Sequence, residues 1–244
     1  VARWKRWMAA ALVLLTIVLC AVHLALFREP RTLGFYLLLD FIFMPLHVLL
    51  VSIVLDTFIS RRERAARAEK LNMVVGAFFS EVGTRLLERF ARADAGLEGI
   101  RQRLMVRGDW GGGEFALLAA ALGQHDYAVD LDRVDLEELR SLLIADRSFL
   151  LALLENPNLL EHEVITDMLW AVFHLGEELM HRRGLKHLLP RDAEHLANDV
   201  KRAYSLIAKQ WVSYMRYLSR TYPYLFSLAV RTNPFDPAAS AEVR

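Results

Sequence analysis

WMAAALVLLTIVLCAVHLALF (7–27) and LGFYLLLDFIFMPLHVLLVSIVLDTFI (33–59) are the two stretches whose reading decides the architecture. The first carries no formal charge over about twenty residues, enough to cross a hydrocarbon core as a helix. The second is longer and contains Asp40, Pro45, His47 and Asp56. Only Arg28-Glu29-Pro30-Arg31-Thr32 separates them. Two apolar runs joined by so short a turn predict a transmembrane hairpin over residues 1–60. A cleaved signal peptide competes for the first run, with Arg3, Lys5 and Arg6 as its basic n-region. The segment Cys20-Ala21-Val22-His23 argues against it, because Val and His occupy positions where a cleavage site needs small residues. The second run is also left unexplained by that reading.

Basic residues predict the orientation. Arg3, Lys5 and Arg6 precede the first run, and Arg61, Arg62, Arg64, Arg67 and Lys70 follow the second. The turn holds only Arg28 and Arg31. The positive-inside rule then places both termini in the cytoplasm of a multi-pass protein of the cell inner membrane. Trp4 and Trp7 would lie at the inner interface, and Phe35 with Tyr36 near the outer one. Arg61, Arg62, Arg64 and Arg67 are placed to meet anionic lipid headgroups, each adding about 1 kcal/mol near the surface.

Five of the 30 basic and three of the 29 acidic residues fall within residues 1–60, so 25 and 26 remain for the rest of the chain. That balance argues against a nucleic-acid partner, which would call for a basic excess. The single cysteine, Cys20, lies inside the first span and excludes a disulfide framework or a Cys-based zinc site.

Helical signals run through the remainder, and the fold class predicted is all-α. The second span continues through 61–93 as a juxtamembrane helix, with Val75, Phe79, Val82, Leu86 and Phe90 at helical spacing. A cytoplasmic helical bundle follows over 94–232. Within it, Asp94–Val106 reads as a short helix and Tyr127–Val134 as extended or irregular. Asp135 is positioned to cap a helix, with Glu138 three places on, and Leu139–Leu154 is apolar on most sides. Leu159–Arg183 follows, then Gly184 as its stop. The stripe Leu196, Val200, Tyr204, Ile207, Trp211, Met215, Leu218, Tyr222 has the cleanest helical period in the chain. Tyr214 and Tyr217 lie off that stripe and are candidates for a partner surface. Residues 233–244, beginning Asn233-Pro234-Phe235-Asp236-Pro237, read as a flexible tail.

Two groups of residues carry candidate chemistry. In the spans, Asp40 and His47 share a helix face, and His23 of the first span lies near the level of Asp40. Ionisable groups in hydrocarbon are costly and hint at function. They point either to an ion or proton path in an oligomer, or to a hydrogen bond from Asp40 to His23 or His47 that locks the hairpin. The lock is the preferred reading. The second group is His174, Glu177, Glu178 and His181, at i, i+3, i+4 and i+7. Glu178-x-x-His181 matches half of a carboxylate-bridged di-metal motif. Asp192-x-x-His195 is a degenerate second copy, and Glu81 a further carboxylate within an apolar stretch. A solvated polar face is preferred over a metal site here, and no cofactor is expected. Asp130-x-Asp132-x-x-Asp135 lacks the Gly and terminal Glu of a calcium loop and reads as a linker with a cap.

The sequence contains no motif strong enough to name a reaction. It predicts a regulatory or scaffolding membrane protein, a homo-oligomer or a companion of another membrane protein, with the lipid bilayer as a further partner. The alternatives are a homo-oligomeric ion channel with Asp40 and His47 facing the axis, and a membrane-tethered carboxylate/histidine metalloprotein.

Overall fold

The computed structural model describes residues 2–157, 159 and 162–242, except for the side chains of residues 2, 3, 61 and 64–67. The headgroup contacts predicted for Arg61, Arg64 and Arg67 therefore lie outside the described residues. Arg62 is exposed. The chain divides into two compact units, Val1–Ala65 and Ala66–Arg244.

The first unit holds α1 (Ala2–Phe27) and the apolar part of α2 (Pro30–Phe78). Arg28, with a φ of 53°, turns the chain between them. Apolar side chains are exposed along both helices. A core helix of a globular domain would bury them, so this pattern accords with insertion into a membrane. Asp40 and His47 are exposed too. The predicted lock is not formed among the described residues: His23 packs on the Phe27 ring at 4.9 Å, and its Nε2 has no hydrogen-bond partner.

The second unit is built from helices alone among the described residues, apart from an isolated antiparallel bridge between Asp94 and Val129. Its helices are the end of α2, α3 (Thr84–Ala93), α4 (Arg101–Leu104), α5 (Gly112–Gln124), α6 (Leu136–Ala145), α7 (Arg147–Leu154), α8 (Glu163–His181), α9 (Pro190–Thr221) and α10 (Pro223–Arg231). The long α9 is the spine. Pro190 starts it, where a missing N–H is harmless and the fixed φ already suits a helix. Its stripe is buried from Leu196 to Leu218. One side of α9 meets α8, with α6 and α7 packed against α8 in turn. Helices α3, α5 and α10 also pack on α9. A π-helical segment, Phe79–Gly83, joins α2 to α3. The Thr84 hydroxyl donates to the Phe79 carbonyl across it, at 2.8 Å.

Four boundaries differ from the sequence reading. The core begins at Val75, not after residue 93: Val75, Phe78, Phe79, Val82, Leu86 and Phe90 are all buried within it. The predicted 139–154 helix is two helices that meet at Asp146. Its N–H closes the end of α6, and its carboxylate takes Arg85 at 2.7 Å. The segment 94–106 is mostly a 3-10 turn and the one-turn α4, because Asp94 leaves the helical region and turns inward. The tail is anchored at its start. Asn233 and Phe235 are buried, and the Asn233 side-chain amide donates to the Leu104 carbonyl at 2.8 Å. The Phe235 ring meets Trp211 edge-on at 5.1 Å. Tyr214 is also taken internally, stacked on Phe79 at 5.0 Å.

Candidate metal centre

Helices α8 and α9 each present a histidine and a carboxylate four residues apart, which places each pair on one face of its helix. On α8 these are His174 and Glu178, and on α9 they are His195 and Asp199. The pairs face each other in antiparallel order. His174 Nε2 lies 3.7 Å from Asp199 Oδ2, and His195 Nε2 lies 3.7 Å from Glu178 Oε2. Within the helices, His195 Nε2 is 3.3 Å from Asp199 Oδ2, and His174 Nε2 is 3.7 Å from Glu178 Oε1. One donor atom from each residue falls within 4.8 Å of the other three. A tetrahedron of ligands at 2.0–2.1 Å from a metal has edges of about 3.3–3.4 Å. Small rotamer adjustments would bring these donors to that size.

Burial across the group is uneven. Asp199 is only 3% exposed, whereas the side chains of His174 and His195 are about half exposed. Asp199 Oδ1 sits 3.4 Å from the Arg202 guanidinium. Its Oδ2, aimed at the two imidazoles, is buried and accepts no hydrogen bond. An orphaned carboxylate oxygen costs several kcal/mol unless something satisfies it. Glu178 is held from behind. Arg182 donates to its Oε2 at 2.7 Å and to Asp192 Oδ1 at 2.7 Å. The hydrogen bond from Arg182 holds the Glu178 carboxyl below the usual carboxylate range, and it does the same to Asp192. Glu178 is thus anionic and oriented at neutral pH, as a metal ligand must be.

Two of the four α8 residues proposed from the sequence, His174 and Glu178, belong to this group. Glu177 and His181 do not. Glu177 turns to α7 and pairs with Arg147 at 3.0 Å. His181 lies one turn beyond Glu178, largely exposed, with its Nδ1 against the Glu177 carbonyl. The α9 partners span a single turn, so only one turn of α8 can face them. Asp192, the acid of the degenerate motif, pairs with Arg182 instead, and Glu81 is exposed on the π-helical segment. His181 is thus largely exposed, whereas His174 and Glu178 face His195 and Asp199 of α9. Asp199 was missed. The signal available for it was the His-x-x-x-Asp spacing on α9, which mirrors His-x-x-x-Glu on α8.

The group opens onto a cleft of about 640 Å³, also lined by His125, Lys201, Arg202 and Lys209. A second buried pair stands in its wall. His125 Nε2 lies 2.5 Å from Asp94 Oδ2, and the Asp94 carboxylate is fully inaccessible.

Residues 67–231 match the family model described as "Uncharacterized protein MJ1433, C-terminal helical domain", and residues 1–59 match "MJ1433, N-terminal helical domain". The chain is 41% identical over 235 residues to "Uncharacterized protein MJ1433" of Methanocaldococcus jannaschii, covering 95% of this chain and 94% of that protein. No solved structure matches it. The chain belongs to the MJ1433 family.

Proposed function

We propose that this protein is a membrane-tethered metalloprotein whose helical domain holds one divalent first-row metal ion between α8 and α9. The observation that carries this reading is the Oδ2 of Asp199, buried, without a hydrogen bond, and directed at two imidazole nitrogens and a second carboxylate. Two imidazoles and two carboxylates suit Zn²⁺, Fe²⁺ or Mn²⁺, and the two negative charges balance the ion. This reading replaces the expectation that no cofactor binds. The regulatory role anticipated from the sequence has no comparable set of groups behind it.

Full-length protein, stripped with chelator and reloaded with each metal in turn, is expected to retain about one equivalent per chain by mass spectrometry. Asp199→Asn and His195→Ala should reduce retention at least tenfold, in line with the loss of a metal ligand. Glu177→Ala and His181→Ala should leave it intact. Retention well below one equivalent for every metal, or equal losses in the Glu177 and His181 variants, would remove the assignment.

The tether in this proposal is a two-span hairpin in the inner membrane, with both termini cytoplasmic. Support comes from the exposed apolar surface of α1 and α2 and from the basic residues flanking them. Reporter fusions at Val1 and at Arg244 should both read cytoplasmic. A C-terminus on the far side would refute the two-span topology.

A further inference from the structure

The cleft changes character along α9. It begins at the metal ligands His195 and Asp199, and then turns cationic at Lys201, Arg202 and Lys209, with Ser205 between. His195, Asn198, Arg202, Ser205 and Lys209 recur at three- and four-residue spacing and form one stripe that lines the opening. Much of the stripe's charge is free to act on a ligand. Arg202 is 61% exposed, and among the described residues its guanidinium pairs only with Asp199 Oδ1, at a long 3.4 Å. Lys209 makes no ion pair among the described residues, and Lys201 pairs with the exposed Asp126. Across the cleft, His125 gives its Nε2 to Asp94.

Resting on the metal reading, we infer that this cleft binds a phosphate monoester, its phosphoryl oxygens shared between the metal ion and Arg202. Three observations converge on that ligand. A divalent ion offsets the charges of Glu178 and Asp199, which would otherwise repel an oxyanion, and metals with five or six ligands keep positions beyond these four. Arg202 touches the same carboxylate that binds the metal, so a group on the metal's open side comes within reach of a planar guanidinium suited to phosphate. The remaining cations, Lys201 and Lys209, line the same cleft.

The test is titration of inorganic phosphate into metal-loaded, full-length protein by calorimetry, with metal content measured on the same samples. Wild-type protein should bind phosphate only when loaded. Arg202→Ala should keep its metal and lose at least tenfold in phosphate affinity, and Arg202→Lys should recover only part of it. Two further arms distinguish the source of the ester: glycerol phosphate in solution, and vesicles of phosphatidylcholine with or without phosphatidic acid. Competition with inorganic phosphate by either one, abolished in Arg202→Ala, supports the inference and identifies the source. Metal bound at one equivalent with no phosphate binding, or with affinity unchanged in Arg202→Ala, overturns the inference and leaves the metal site standing. Failure to retain metal overturns both.

Discussion

Asp94→Ala is expected to destabilise the helical domain by about 3 kcal/mol, since it strips a buried charged acceptor from the groups bound to it. The Asp94 side chain is wholly inaccessible. Its Oδ2 receives His125 Nε2 at 2.5 Å, and its Oδ1 receives the Gly96 N–H at 3.0 Å. The backbone next to it is tied to the loop after α5, for Asp130 N–H donates to the Ala93 carbonyl at 3.0 Å. The imidazole stands edge-on to Tyr127, which meets Tyr204, which meets Phe90. Burial raises the phenol pKa of both tyrosines, and the charge of Asp94 adds to the effect. Alanine at position 94 leaves His125 Nε2 and the Gly96 N–H without partners inside this packed column. Asp94→Asn keeps the volume and one acceptor oxygen, so it should cost only about 1 kcal/mol. Thermal unfolding followed by circular dichroism in detergent checks the pair. A fall of roughly 6–12 °C is expected for the alanine variant, at 2–4 °C per kcal/mol for a domain of this size. Equal melting temperatures for alanine and wild type would show that the pair holds nothing together.

What the sequence disclosed follows from what local patterns encode. The α9 stripe is legible because helical period alone decides which residues face inward, and Leu196 through Leu218 are buried as that period requires. Asp135 is legible because a cap acts over three residues: its Oδ1 accepts the Glu138 N–H at 2.9 Å. The two apolar runs are legible by length. The candidate site was only half legible. Period identifies the polar face of α8 but not which turn of that face meets a neighbour, and that choice separates His174 and Glu178 from Glu177 and His181. Asp199, between Asn198 and Val200, reads as an ordinary surface residue until α9 is docked on α8. The Asp94–His125 bond spans 31 residues and its ends share no single helix, so no spacing rule reaches it. Phe235, with only Asp236 beside it between Pro234 and Pro237, carries no period at all. Its burial against Trp211 comes from tertiary packing, as does the Arg101 donation to its carbonyl at 2.8 Å.

Gly83→Ala separates local preference from packing by the sign of its effect. Gly83 has ordinary helical dihedrals, φ −62° and ψ −42°. Propensity alone would make alanine better there by about 0.8–1.0 kcal/mol. A Cβ at this position, however, would lie 2.6 Å from a ring carbon of Phe78 and 2.8 Å from one of Phe79. Neither ring has room to retreat. Both are almost fully buried, they meet edge-on at 5.3 Å, and Phe79 is held from its other side by Tyr214. Overpacking of this kind costs about 1–3 kcal/mol, sometimes more. The packing term should win at the upper end of that range, for a net loss of about 2 kcal/mol and a melting temperature lower by roughly 4–8 °C. Gly76, nearby on α2, supplies the control. A Cβ there would meet the Tyr214 ring at 3.5–3.9 Å, an ordinary contact, so Gly76→Ala should gain up to about 1 kcal/mol. Adding Phe78→Leu to Gly83→Ala should restore part of the loss, because the smaller side chain gives the new methyl its space, whereas Phe78→Leu alone should destabilise. If Gly83→Ala instead stabilises the domain as Gly76→Ala does, the π-helical segment is not packed against these rings as tightly as the contacts require.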